Sequence, residues 1–195
     1  MSLTWSSLFV QTLRAPADAA QTVLAQDVAP RDVYQGLVAG AAMNAVLTGT
    51  MAALFPLPPE WPAFLTSPFL YFMVMAGGLL LFVHVLTWSG RIVGGQGVLA
   101  GLLKLMVWLQ FVRVALQAIG VLLLIALPPL GSLYYLVMTV LSLWIVLNFI
   151  KVGHGLSSIG GALLALFITF VGLIVALSML LMLTGFGQMG VLPDV

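Results

Sequence analysis

Only one charged side chain lies near the middle of a long apolar run. Arg113 sits inside VLAGLLKLMVWLQFVRVALQAIGVLLLIA, the stretch from Val98 to Ala126. At about 1.5 Å of rise per helical residue it lies roughly 22 Å from the start of that stretch. An arginine at bilayer mid-depth costs about 3 kcal/mol on insertion scales, so it needs a partner. On a helix, Gln110, Arg113 and Gln117 share one stripe roughly 60° wide, while Lys104 points to the other side and can snorkel toward the near interface. The stripe is a row of hydrogen-bonding groups around a fixed positive charge, and its planar fork suits a phosphate or a carboxylate. The acids Asp18, Asp27, Asp32, Glu60 and Asp194 all fall outside the apolar stretches. Arg113 must therefore turn to backbone carbonyls, to neutral side chains such as Asn44 or Thr48, to water, or to an external anion. Two readings follow: Arg113 faces a wet or lipid-filled groove and holds an anionic headgroup, or it bonds carbonyls of a broken neighbouring helix and fixes the bundle.

A second set of polar groups is expected near one membrane face. His84 falls about one turn from the end of an apolar stretch, Arg91 lies in the turn GRIVGGQG, and Lys151 and His154 flank the loop VGHGLSSIGG. Two histidines without a neighbouring carboxylate, in a chain with no cysteine, make a poor metal site and a poor acid–base pair. No metal and no cofactor is expected. Gly94, Gly95 and Gly97 are followed by no Lys-Ser or Lys-Thr pair, so they do not form a phosphate loop; Gly97 and Gly101 read as sites of close helix packing. Asn148 and Lys151 share a helix face and suit anionic headgroups. The ten methionines are dispersed and read as core filling. No nucleophile with a base and no pair of acids falls within an apolar stretch, so no enzyme is expected.

The elements that carry these groups are membrane helices. Of 195 residues, 63% are hydrophobic and 6% charged, against about 25% charged in soluble domains. A formal net charge of +1 offers no basic surface for nucleic acid. Two short amphipathic helices are predicted first, one carrying Trp5, Leu8 and Phe9 on one face and one beginning at Pro16, together forming an interfacial segment over residues 1–32. Five spans follow: Val33 to Phe55, Phe69 to Trp88, Val98 to Ala126, Leu133 to Ile150 and Ala162 to Leu183. In the first, Ala41, Ala45, Gly49 and Ala53 recur every fourth position and invite a close neighbour. Proline-rich residues 56–68, with Trp61, form an outer loop; Pro128, Pro129 and Gly131 form another; residues 184–195 are a short outer tail. The fold class is all-α, a five-helix membrane bundle. Arg14, Arg31, Arg91 and Lys151 fall on one side, which places the amino terminus in the cytoplasm and the carboxyl terminus outside.

The string LRAPADAA at the start, the VGGQG turn before the third span, the stretch VWLQFVRVALQ and the fourth span ending NFIKVGHGLSS resemble the bacterial branch of the Yip family, named for Ypt/Rab GTPase-interacting proteins. The likeness runs from about Leu8 to Leu183. It implies five spans, residence in the bacterial inner membrane, and a role in organising membrane lipid or partner proteins, with other membrane proteins or further copies of the chain as possible associates. It supplies no catalytic residues. The alternative is a small transporter or channel for an anionic solute or lipid.

Overall fold

The computed structural model describes residues 4–55 and 67–184. The expected outer loop with Glu60 and Trp61, and the tail with Asp194, lie outside the described residues. Among the described residues there are seven helices: α1 (Trp5–Arg14), α2 (Pro16–Ala25), α3 (Pro30–Leu54), α4 (Pro68–Ile92), α5 (Leu99–Ala126), α6 (Pro128–His154) and α7 (Ile159–Thr184). The last five are each long and apolar enough to cross a membrane. Prolines at the first turns of α2, α3, α4 and α6 start helices where their missing N–H is not needed. Thr4 and Ser67 cap α1 and α4 through their side-chain oxygens.

Pro128, Pro129 and Gly131 were expected to form a turn, and instead they open α6. The connection from α5 shrinks to Leu127. Proline is compatible with a first helical turn, and a Cβ on Gly131 would come within 2.6 Å of the Leu124 backbone, so only glycine permits this crossing. Tyr134 then ties the two helices by donating to the Leu116 carbonyl at 2.7 Å.

The short connections make neighbouring helices antiparallel, so the start of α3, the end of α4, the start of α5 and the end of α6 share one end of the bundle. That end carries Arg31, Arg91 and Lys151 and is called the basic end below. Packing is uneven along the helices. The fully buried Val83, Leu86, Leu102, Leu105, Phe149 and Ile150 belong to the half nearest the basic end, with Ala162 and Ala165 of α7 filling the narrow gaps between them.

The amphipathic pair α1–α2 packs on the flank of α5 and α6 through Leu8, Thr12, Ala19, Ala20 and Val23. Trp108 of α5 donates its indole N–H to the Thr12 hydroxyl at 2.9 Å, and that hydroxyl in turn donates to the Leu8 carbonyl at 2.8 Å. Trp5 lies against the same indole, with ring centroids 5.7 Å apart. Lys104 reaches toward the basic end, as its position predicts. Its ammonium donates to the carbonyls of Leu24 at 3.0 Å and Gln26 at 2.7 Å, a positive cap on the negative end of α2.

Candidate functional site: a lateral cleft beside Arg113

Halfway along the bundle α4, α5, α6 and α7 draw apart around a cleft of about 480 Å³. Its walls are Val74 to Phe82 of α4, Met106 to Leu116 of α5, Ser142 to Val146 of α6 and Leu166 and Phe170 of α7. Val74, Leu143 and Phe170 are exposed, so the cleft opens sideways toward the surrounding lipid. Along α5 it begins roughly 10 Å beyond Leu99 and stops roughly 15 Å short of Ala126. Its polar side chains are Gln110, Arg113 and Ser142; the remaining lining is apolar.

Arg113 is exposed on this cleft. One of its amino groups donates to Asn44 Oδ1 of α3 at 3.4 Å, a long bond for a guanidinium. Asn44 is fully buried and is itself oriented by donating to the Gly40 carbonyl at 3.0 Å. The acids among the described residues, Asp18, Asp27 and Asp32, all lie in α2, the link after it, or the first turn of α3. Among the described residues, the guanidinium thus has several donors left over and no neutralising charge at its level.

Gln110 sits one turn away, lines the same cleft, and is 4% exposed. Its amide is folded back against Gly40, where a Cβ would meet Gln110 Oε1 at 2.9 Å, and neither amide atom finds a hydrogen-bond partner. Leaving such groups buried and unpaired costs about 1–3 kcal/mol each. The fold therefore brings Asn44, Gln110 and Arg113 together. Gln117 shares their stripe but not their site, because the cleft ends at the level of Leu116.

The residues expected at one membrane face do not form a common site. His154, placed by the sequence in a loop, is the last residue of α6 and is 1% exposed. The positive φ of Gly155 (65°) ends the helix directly after His154. Its ring is wrapped by the connection between α4 and α5. A Cβ on Gly90 would meet the ring at 2.1 Å, one on Gly97 at 2.5 Å, and one on Gly95 would meet the His154 Cβ at 2.8 Å. The Gln96 N–H donates to the His154 carbonyl at 2.8 Å. The Leu86 backbone approaches the ring, yet neither ring nitrogen is in hydrogen-bond geometry.

His84 also departs from its expected place. Because α4 continues to Ile92, His84 lies roughly 12 Å from the helix end; it faces outward, with Nδ1 donating to the Leu80 carbonyl at 2.7 Å. Arg91 occupies the last turn of α4 rather than a loop, its guanidinium 6.0 Å from the Trp88 ring centroid. Asn148 turns to its own helix, donating to the Trp144 carbonyl at 2.9 Å. Among the described residues, no three of His, Cys, Asp and Glu gather into a metal-binding group.

Two features of the cleft were not singled out from the sequence. Ser142 contributes a hydroxyl from α6, and Gly78 of α4 leaves open space, since a Cβ there would meet nothing within 4 Å. The Gly77-Gly78 pair inside an apolar helix was the available signal: glycine costs about 1 kcal/mol against alanine there, and no close packing explains it.

The fold and the site define a polytopic helical membrane protein with a largely apolar cleft at mid-depth that holds three polar side chains. The Yip1 domain matches residues 10–180, nearly all of the bundle together with its amphipathic start, and the chain belongs to that family. Neither a curated protein nor a solved structure matches it.

Proposed function

We propose that this chain is a non-enzymatic Yip-type protein of the bacterial inner membrane that organises lipid by holding it in the lateral cleft beside Arg113. The observation that carries this reading is an underused guanidinium on a cleft open to the side at mid-depth. Intramembrane charge usually marks function, and a structural post would be expected to spend its donors within the protein. Arg113 instead makes one long bond to Asn44. The positive residues at the basic end favour a cytoplasmic amino terminus and a carboxyl terminus outside. Partner proteins or further copies of the chain would then meet the exposed helix faces.

A transporter for an anionic solute has less support, because the cleft residues of all four helices lie mid-span and trace no route to either end. The test compares Arg113→Gln with the parent for melting temperature and for co-purified acidic lipid in the same detergent. The expected result is lipid lost, with a melting temperature equal to that of the lipid-stripped parent. A lower melting temperature with lipid unchanged would make Arg113 a structural post, and solute flux in liposomes would favour transport.

A further inference from the structure

We infer that the occupant of the cleft is a single-chain acyl lipid ending in a carboxylate, a long-chain fatty acid, rather than a two-chain phospholipid. This rests on the lipid-holding function proposed above and names its ligand class.

The first argument is the polar inventory. Arg113 and Gln110 stand one turn apart on the same wall, with Ser142 across the cleft on α6. A guanidinium fork receives the two oxygens of one carboxylate, and the Gln110 amide, now without a partner, can turn to the same group. That set satisfies one small planar anion. A phospholipid would bring a phosphodiester, two esters and a headgroup, whose acceptors would face Val74, Leu79, Phe82 and Leu109 with no donor among them. Buried polar groups left without partners are unfavourable.

The second argument is charge. Arg113 has no carboxylate at its level among the described residues, so a ligand carrying a single negative charge neutralises it. The third is depth. Along α5 the cleft stops roughly 10 Å and 15 Å from the two helix ends, so a headgroup held at either membrane surface does not reach Arg113. A ligand must enter sideways through hydrocarbon, bringing its polar group with it. A carboxylate can do so by taking a proton at the interface, crossing uncharged, and giving that proton to water drawn into the laterally open cleft once the guanidinium supplies the counter-charge. A phosphodiester stays ionised and meets the full desolvation penalty. The volume, about 480 Å³, lies in the range of sites for one compact ligand.

The experiment uses the full chain in neutral detergent with palmitate as probe and phosphatidylglycerol as competitor. Binding is read by native mass spectrometry and by the rise in melting temperature. Two variants are needed. Arg113→Gln removes the charge, and Gly78→Leu fills the cleft from α4, where an added Cβ meets nothing within 4 Å. Palmitate should bind the parent, and each variant should weaken it by about tenfold or more, the equivalent of one charge-assisted contact. Phosphatidylglycerol should fail to displace it at equal mole fraction. If Arg113→Gln does not fold, Gly78→Leu decides alone. Palmitate binding that neither variant weakens overturns the inference. Displacement by phosphatidylglycerol, or variant-sensitive binding of phosphatidylglycerol alone, overturns the ligand class and leaves the lipid-holding cleft standing. If neither probe binds in a way the variants alter, the cleft reading falls with it.

Discussion

Among the described residues, two places hold buried polar side chains without partners, and they differ in space. At the basic end the His154 ring is sealed by Gly90, Gly95 and Gly97 so closely that a single added methyl would collide with it. At mid-depth the Gln110 amide is equally unpaired, but its residue borders a cleft of about 480 Å³ with Arg113 in the same lining one turn away. An unpaired group with no room is the result of tight packing: the imidazole acts as a wedge that fixes one helix connection against another. An unpaired group beside open volume is a place where a ligand gains hydrogen bonds that the protein does not make for itself. The same deficit therefore means structure at one end and binding at the other.

Two glycines of α4 test that distinction most strongly. Gly90→Ala puts a Cβ 2.1 Å from His154 Cε1, and the ring, walled on its other sides, has nowhere to go. Overpacking of this kind costs about 1–3 kcal/mol, occasionally more, so a fall of several degrees in melting temperature is expected. Gly78→Ala on the same helix meets nothing within 4 Å and should be neutral or raise stability by up to about 1 kcal/mol through helix propensity. Adding His154→Ala to Gly90→Ala should recover part of the loss, because the clash and the ring disappear together. If the two alanine variants melt alike, the basic end is not the rigid partner in the comparison.

The next effect concerns how α1–α2 is held to the tight half. Trp108→Phe removes the indole donor to Thr12 while keeping most of the ring, and Lys104→Met removes both bonds to the α2 carbonyls. Each should cost about 1 kcal/mol. The loss should appear as faster amide exchange in α1 for the first variant and at the end of α2 for the second, with the exchange of α6 unchanged. Faster exchange throughout the bundle would mean that the amphipathic pair is part of the core rather than attached to it.

Much of this arrangement was legible in the sequence because membrane helices write themselves plainly. Apolar length gave the five spans, Pro16 marked the start of α2, and the isolated Arg113 pointed at α5 before any neighbour was known. The pairing with Asn44 was also within reach, since the acids lay elsewhere and few neutral partners remained. What sequence could not reveal is where helices separate. The cleft depends on side-chain volume from four helices at one height, and no local pattern encodes that; Gln117 matched the stripe by angle and missed the site by a single turn. The His154 knot was hidden for a related reason. Its glycines occur in two strings about sixty residues apart, and either string alone reads as a loop. The start of α6 was misplaced because prolines and a glycine look like a turn until the Leu124 backbone explains why that glycine lies inside a helix.

The smallest effect is the most discriminating one. Gln110→Leu keeps nearly the same volume against Gly40 and deletes an amide that makes no hydrogen bond in the protein. Replacing an unpaired polar group by an apolar one of similar shape is close to neutral or slightly stabilising, so the melting temperature in lipid-stripped detergent should stay level or rise a little. The wedge at His154 offers no such freedom, because any smaller residue there leaves a void that costs stability. The direction of the Gln110→Leu change also separates two causes of the same orphaned amide. Loss of about 2 kcal/mol or more would mean that the amide has a partner within the folded chain, and the contrast between a closed end and a ligand-ready middle would then fail at the residue that defines it.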